Sequence, residues 1–295
     1  MGPSIVALGG GHGLSVALRA IREYANEITA VVSVADDGGS SGRLRRDLDV
    51  PAPGDLRRCL IALAGDDDDG PWAGAFEHRF RSGELADHAL GNLVLVGLAE
   101  TLGDLTAALD EAGQLLRAVG RVLPATLGPV SMAARVGSDR ITGQVAIAQA
   151  GKRARIHEVR LTPADPPASP DALTAIARAD QIVLAPGSLY TSIVAVLSVP
   201  EICDVVAGAH GRVVQIANLA MENETTGHDG TDHLRTVLDH GGRVDQFVYD
   251  PEHGLAVDPA AVAALGVEPV AASIAGPGGT GHDPQQLAKA LSALL

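Results

Sequence analysis

Residues Ile5 to Ser15 read IVALGGGHGLS: an apolar run of strand type ends in glycines at 9, 10, 11 and 13, and a helical pattern begins at once. Val16, Leu18, Ile21 and Tyr24 recur near helical spacing, with Arg19, Arg22 and Glu23 between them. Glycine takes backbone angles that a side chain forbids and lets the main chain approach a ligand. The helix then points its free N–H groups and positive dipole end at the turn, which suits a phosphate. The glycines depart from G-x-G-x-x-G, and no lysine completes G-x-x-x-x-G-K-[ST]. A tight strand-to-helix turn without a ligand accounts for them equally well.

The rest of the chain extends this unit. Ile28 to Val34 (ITAVVSV) is a β-branched run fit for a buried parallel strand. Residues 55–65, 72–81 and 87–117 read as helices. Residues 119–161 change character. Arg121-Val122-Leu123, Val130 to Val136, Gln144 to Ala148 and Arg155 to Leu161 read as short strands of a small antiparallel insertion. Alternation resumes with helices at 171–179, 188–197, 232–239 and 284–294 and strands at 182–185, 213–217 and 245–249. Alternating βα units imply an α/β, Rossmann-like, doubly wound and mostly parallel sheet, here as one unit over 1–295.

Composition narrows the partners. The 295-residue chain carries a net charge of −14, so general binding to nucleic acid is not expected. Aromatic residues are 2%, too few for base-stacking platforms. No apolar stretch has membrane-spanning length and no secretory leader pattern opens the chain, so membrane insertion is not expected and the reading is cytoplasmic. Cys59 and Cys203 lie far apart and read as buried free thiols. The run Asp66 to Asp69 reads as a solvated loop. A chain this apolar is compatible with a homo-oligomer, of an order the sequence does not fix.

Several loops carry chemistry. ADDGGSSGRLR, residues 35–45, follows the second strand, where an open α/β sheet lines its ligand crevice. Asp36 and Asp37 either accept ribose hydroxyls or hold Mg²⁺ beside a diphosphate. Ser40 adds a hydroxyl, and Arg43 and Arg45 can clamp phosphate oxygens. In PAPGDLRRCL, Asp55 reads as a helix N-cap. Arg57 and Arg58 fall in the first helical turn, a misfit with the dipole that an anion would relieve. His88 and Asn92 share a helix face at i and i+4. Ala185 to Ser192 (APGSLYTS) repeats the strand–glycine–helix logic as a second candidate anion site. Asn218 closes a later strand, followed by Glu222 and Glu224. G-x-S-x-G is absent, and no His/Cys cluster has zinc spacing. The glycine-rich run Ala275 to His282 reads as a flap over the site.

Taken in order, GGGHGLS, VADDGGSSGRLR, PxPGDLRxCLIALA, HxLGNLxLxGL, GRVLPAT, APGSLYTSIxxxLxVPEI, NLAxExETxGxxxxDHL and GHDPQQLAKAL resemble the YvcK family, the gluconeogenesis factor group of the CofD-like superfamily. The resemblance spans essentially the whole chain. It implies a Rossmann-like fold and binding of a UDP-sugar, UDP-N-acetylglucosamine in the best-known members. It also implies a cytoplasmic role in cell shape and cell-wall homeostasis during gluconeogenic growth, with no reaction firmly tied to the group. The related CofD is a Mg²⁺-dependent transferase that moves phospholactate from a nucleotide diphosphate onto a deazaflavin precursor.

By resemblance, the ligand-binding set is Gly10, Gly11, His12, Gly13, Asp36, Asp37, Ser40, Arg43, Asn92, Gly187, Ser188, Leu189 and Asn218, with Asp36 and Asp37 the candidate metal ligands. His12 stands where many members have Thr, Ala185 where Gly is more usual, and AMENETTG replaces the commoner MTQPGET. The chain keeps GGSSGRLR, from which the CofD branch departs. Two functions compete: a regulator that binds a nucleotide sugar, and a Mg²⁺-dependent transferase acting on a nucleotide-diphosphate-linked substrate. A nicotinamide-dependent oxidoreductase would need the missing glycine spacing.

Overall fold

A computed structural model describes residues 2–65 and 70–295. The acidic run Asp66 to Asp69 lies outside the described residues. In chain order, the first part comprises β1 (Ser4–Gly9), α1 (Gly11–Ile21), β2 (Glu27–Val32), α2 (Gly39–Leu48), α3 (Pro53–Ala62), α4 (Pro71–Glu77), α5 (Leu90–Leu102), α6 (Leu105–Leu115) and β3 (Arg121–Pro124). Then follow β4 (Ser131–Val136), β5 (Asp139–Thr142), α7 (Gln144–Gly151) and β6 (Ile156–Thr162). The last part holds α8 (Pro170–Arg178), β7 (Gln181–Leu184), a π-helical segment Leu189–Val194 running into α9 (Ala195–Leu197), α10 (Pro200–Ala207) and β8 (Arg212–Ile216). A 3-10 turn Asn223–Thr225, α11 (Gly230–Asp239), β9 (Gln246–Tyr249), α12 (Pro259–Ala264), β10 (Glu268–Ala271) and α13 (Pro284–Ser292) complete it.

The main sheet has seven parallel strands in the order β10-β9-β8-β7-β1-β2-β3. β1 pairs with β2 on one side (Gly9 beside Val32) and with β7 on the other (Leu8 beside Leu184). The chain first winds outward through β2 and β3, then returns to β7 and winds the other way. The switch therefore falls between β1 and β7, where open α/β sheets bind ligands beyond their carboxyl ends. Ile5, Ala7 and Leu8 of β1 are fully buried because helices cover both faces. In α1, Leu14, Leu18 and Ile21 recur at i, i+4 and i+7 and are fully buried. Each such side chain contributes about 1.5–3 kcal/mol of burial.

Three expectations need correction. Arg121-Val122-Leu123 lies not in the insertion but at the edge of the main sheet, paired parallel to β2 with Thr29 beside Arg121. Gln144 to Ala148 is helical, part of α7. The second sheet is therefore β5-β4-β6, antiparallel, with α7 inserted between β5 and β6. The helix expected over 87–117 is two helices. Gly103 ends α5 at φ 71°, and Asp104 caps α6 by accepting from the Ala107 N–H. Cys59 is buried as expected, whereas Cys203 is partly exposed.

Among the described residues, no single helix is long and apolar enough to cross a membrane. The glycine-rich run is no cover for the crevice. Ala275 bridges His282, Asp250 accepts the Ile274 and Ala275 N–H groups, and His282 Nε2 lies 3.0 Å from the Ala217 carbonyl oxygen.

Candidate functional site

A cleft of about 470 Å³ opens at the switch point. Gly10 to Gly13 after β1, Gly38 to Ser41 at the start of α2, Gly54 and Asp55 at the start of α3, and Gly187 and Ser188 after β7 line it. Arg57, Arg58, Arg79, Asn92, Gln144 and Glu222 complete the wall. Nine expected residues thus share one cleft: Gly10, Gly11, His12, Gly13, Asp36, Ser40, Asn92, Gly187 and Ser188.

The other four lie elsewhere. Asp37 turns away, and its Oδ1 accepts the Val145 N–H at the start of α7, 3.0 Å away. Arg43 donates to the Ala86 carbonyl (2.6 Å). Leu189 is buried in the core at 3% exposure. Asn218 stands behind the second glycine loop and clasps it at both ends: its Oδ1 accepts from Gly187 N (2.7 Å) and its Nδ2 donates to Gly187 O (2.8 Å).

The two glycine loops touch. A Cβ at Gly13 would overlap the Pro186 carbonyl oxygen, so only glycine lets α1 start this close to the β7 loop. Gly187 has φ +110°, the conformation that L side chains rarely adopt.

Helix-start donors differ in what answers them. At α1, the Gly11 N–H already meets Asp55. At the π-helical segment, Glu224 Oε1 accepts from the N–H of Tyr190 (2.8 Å) and Thr191 (3.4 Å). Both loops that resemble anion sites therefore face a carboxylate of the protein itself. The start of α2 also meets a carboxylate at one donor: Asp36 Oδ1 accepts the N–H of its cap residue Gly38 (2.9 Å). Gly38 caps it with no side-chain hydrogen bond, and the N–H groups of Gly39, Ser40 and Ser41 are orphan first-turn donors.

Beside that turn sits Arg57, 4% exposed. Its Nη1 donates to the Phe76 carbonyl (3.0 Å), and its Nε has no partner. Among the described residues no carboxylate lies within ion-pair distance of it. Burial, with the neighbouring charges of Arg58 and Arg79, lowers its pKa to about 10. It stays cationic at neutral pH, a desolvated charge that an anion would compensate. Arg58 is engaged with Asp55 (2.9 Å).

Asp55 is not an N-cap: α3 begins at Pro53 behind Ala52, which places Asp55 in the first turn. Burial raises its pKa, and the charge of Asp36 raises it further, against the pull of Arg58 and the Gly11 N–H. The carboxylates that line the cleft together are thus Asp36 and Asp55, not Asp36 and Asp37. A Cβ at Gly54 would lie 3.4 Å from Asp36 Oδ2, and one at Gly10 2.8 Å from Asp55 Oδ2. Two hard oxygen donors on one wall fit a divalent cation. Among the described residues, no group of three or more His, Cys, Asp or Glu forms a metal cluster.

Ser40 joins the sequence-predicted pair. Its hydroxyl lies 3.1 Å from His88 Nδ1 and accepts from Asn92 Nδ2 at 3.0 Å. His88 precedes α5 rather than opening it. Asn92 is 1% exposed, and its Oδ1 is left without a partner at the cleft wall. Gln144 was not anticipated at the site, whereas Glu222, noted in the loop after β8, does line it. Glu222 accepts from the Ser188 hydroxyl at 3.2 Å.

Residues 5–273 match the family described as 2-phospho-L-lactate transferase CofD. The chain belongs to that CofD-like family. Within it, the resemblance to the gluconeogenesis factor (YvcK) group holds. The gluconeogenesis factor of Halalkalibacterium halodurans is 43% identical over 81% of this chain and 74% of its own length. That of Bacillus subtilis is 41% identical over 81% and 75%. A crystal structure of a UPF0052 family member from Bacillus halodurans superposes with a TM-score of 0.93 at 36% identity, covering 99% of both chains.

Proposed function

We propose that the cleft binds a nucleotide-diphosphate-linked sugar of the UDP-N-acetylglucosamine kind. On this reading the protein is a cytoplasmic ligand-binding regulator linked to cell shape and cell-wall homeostasis during gluconeogenic growth. The observation that carries the reading is Arg57 beside the start of α2. A buried guanidinium without a carboxylate partner, next to three unanswered helix-start N–H groups, is a site for phosphate oxygens. Asn92 Oδ1 offers a buried acceptor to a ribose hydroxyl or a base N–H, and the Gly10 to Gly13 loop lets the ligand lie close to the main chain. The name gluconeogenesis factor carried by the relatives supports the link to gluconeogenic growth.

The pair Asp36 and Asp55 favours a second reading, a transferase of the 2-phospho-L-lactate transferase type. A Mg²⁺ ion held there would neutralise charge on a leaving diphosphate. In that case Arg57 and the α2 start orient the phosphates, and Ser40, held by Asn92 and His88, lines the path of the acceptor.

Calorimetric titration with UDP-N-acetylglucosamine, with and without Mg²⁺, followed by nucleotide analysis, separates the two. Binding with the ligand recovered intact supports the regulator. Mg²⁺-dependent release of free nucleotide in the presence of an acceptor supports the transferase. Absence of binding under both conditions contradicts the ligand class.

A further inference from the structure

Beside the cleft lies a second cavity of about 340 Å³ between α7 and the 222–225 turn. Gln144, Ser188 and Glu222 line both spaces, so the two adjoin. Thr191, Glu224 and Lys152 belong to the side cavity alone. Its wall is built rather than incidental. Gly151 at the end of α7 lies so close to Glu224 that a Cβ there would stand 2.7 Å from the Glu224 Cα.

Glu224 is 3% exposed. Its Oε1 is committed to the Tyr190 and Thr191 N–H groups, while Oε2 has no hydrogen-bond partner among the described residues. A buried carboxylate oxygen left unpaired is costly, and such orphans mark a missing partner. That partner must donate a hydrogen bond. Glu222, at the mouth of the same cavity, adds a second carboxylate, which already accepts from the Ser188 hydroxyl and the Thr225 N–H. Two carboxylates outweigh Lys152 in the side cavity, so an anionic group is better placed at the opposite end, beside Arg57 and α2. The cleft is therefore polarised, with a cationic end and a donor-seeking end.

We infer that the side cavity seats the hydroxyl-rich sugar end of the nucleotide-diphosphate ligand, its hydroxyls donating to Glu224 Oε2 and Glu222 while the diphosphate lies toward Arg57. This rests on the ligand class proposed above and adds its orientation. Gln144 and Ser188, shared by both spaces, then flank the link between phosphate and sugar.

The test, run at about pH 8.5 so that Glu224, lifted by burial to about 7, is ionised, compares affinities of the full chain for UDP and for UDP-N-acetylglucosamine, expressed as their ratio. Glu224→Gln keeps size and can still accept from Tyr190 N, but it replaces the accepting Oε2 by an NH₂ donor. The wild type is expected to prefer the sugar conjugate by about tenfold or more, the worth of one hydrogen bond to a charged acceptor. In Glu224→Gln that preference is expected to fall to within about twofold of unity. Glu222→Gln, on a partly exposed side chain that a folded variant tolerates, is expected to remove part of it. A wild type that binds both ligands equally overturns the inference alone. So does a preference that survives both substitutions, or a loss shared in the same proportion by UDP and its conjugate. Binding of neither ligand by the wild type overturns the ligand class itself, and the inference with it.

Discussion

Gly13 abuts the Pro186 carbonyl, and this contact ties the loop after β1 to the loop after β7 across the switch point of the sheet. Gly13→Ala places a methyl group into that carbonyl. One loop must withdraw, at a cost of about 1–3 kcal/mol for an overpacked contact. The variant is expected to melt lower than the wild type and to bind nucleotide sugars weakly. Thermal denaturation and calorimetry check both. Unchanged affinity would show that the two loops need not touch for the cleft to work.

Asp37 and Asp36 are adjacent in sequence and separate in role. Asp37 holds the Val145 N–H and so acts as a cap for α7, supplied from 108 residues away. Asp37→Ala is expected to cost about 1 kcal/mol, as the loss of a cap does. Asp36→Ala, in the cleft, is expected to change ligand affinity and its Mg²⁺ dependence more than Asp37→Ala does. Equal effects on affinity would return Asp37 to the ligand.

Glu224 and His233 give opposite pH dependences. Burial lifts Glu224 from the usual 4.5 to about 7, against its hydrogen bonds to Thr191 and Tyr190 and helped by the charge of Glu222. Between those values the folded state holds a proton that the unfolded state has lost, so this group's contribution to stability falls as pH rises, by about 3 kcal/mol over the window. Burial, helped by His228, lowers His233 from 6.5 to about 4. Its contribution falls in the other direction, as pH drops from about 6.5 to about 4. The two slopes oppose each other where the windows overlap. The stability of Glu224→Gln relative to the wild type should grow from pH 4.5 to 7, and that of His233→Gln should grow from pH 6.5 to 4. Parallel denaturation curves at several pH values test this, and a constant difference would contradict it.

Asp250 pins the end of β9 to the segment after β10. Its carboxylate accepts the N–H groups of Glu252, His253, Ile274 and Ala275 at 2.9–3.1 Å. Burial alone would raise its pKa, but these four donors hold it at about 2. Asp250→Ala leaves four N–H groups unanswered and is expected to cost about 3 kcal/mol or more. Amide hydrogen exchange at Ile274 and Ala275 should accelerate; unchanged protection there would show that the carboxylate does not hold the segment.

Much of the architecture is legible where local pattern and tertiary role coincide. IVALGGGHGLS and ITAVVSV state their strands and the first helix because burial on both faces leaves long apolar runs. Arg121 to Leu123 misleads because three residues carry no mark of which sheet they join. Gln144 to Ala148 alternates like a strand, yet it is a helix whose start is held by Asp37, a partner that no local window contains. The cleft residues on glycine loops were legible for the same reason as the strands. What stayed hidden was charge pairing. Only the fold shows that Asp55 and Glu224 answer the two glycine loops, that Asp36 and Asp55 share the cleft, and that Arg57 has no carboxylate within ion-pair distance among the described residues.

The central claim is that Arg57 and the start of α2 hold the phosphates of the ligand. The most direct measurement is calorimetric titration of UDP-N-acetylglucosamine into the wild type and into Arg57→Gln, with thermal denaturation showing that the variant is folded. The account predicts binding to the wild type and a loss of about tenfold or more in the variant, the worth of charge-assisted hydrogen bonds to phosphate. A folded Arg57→Gln that binds as tightly as the wild type would contradict it.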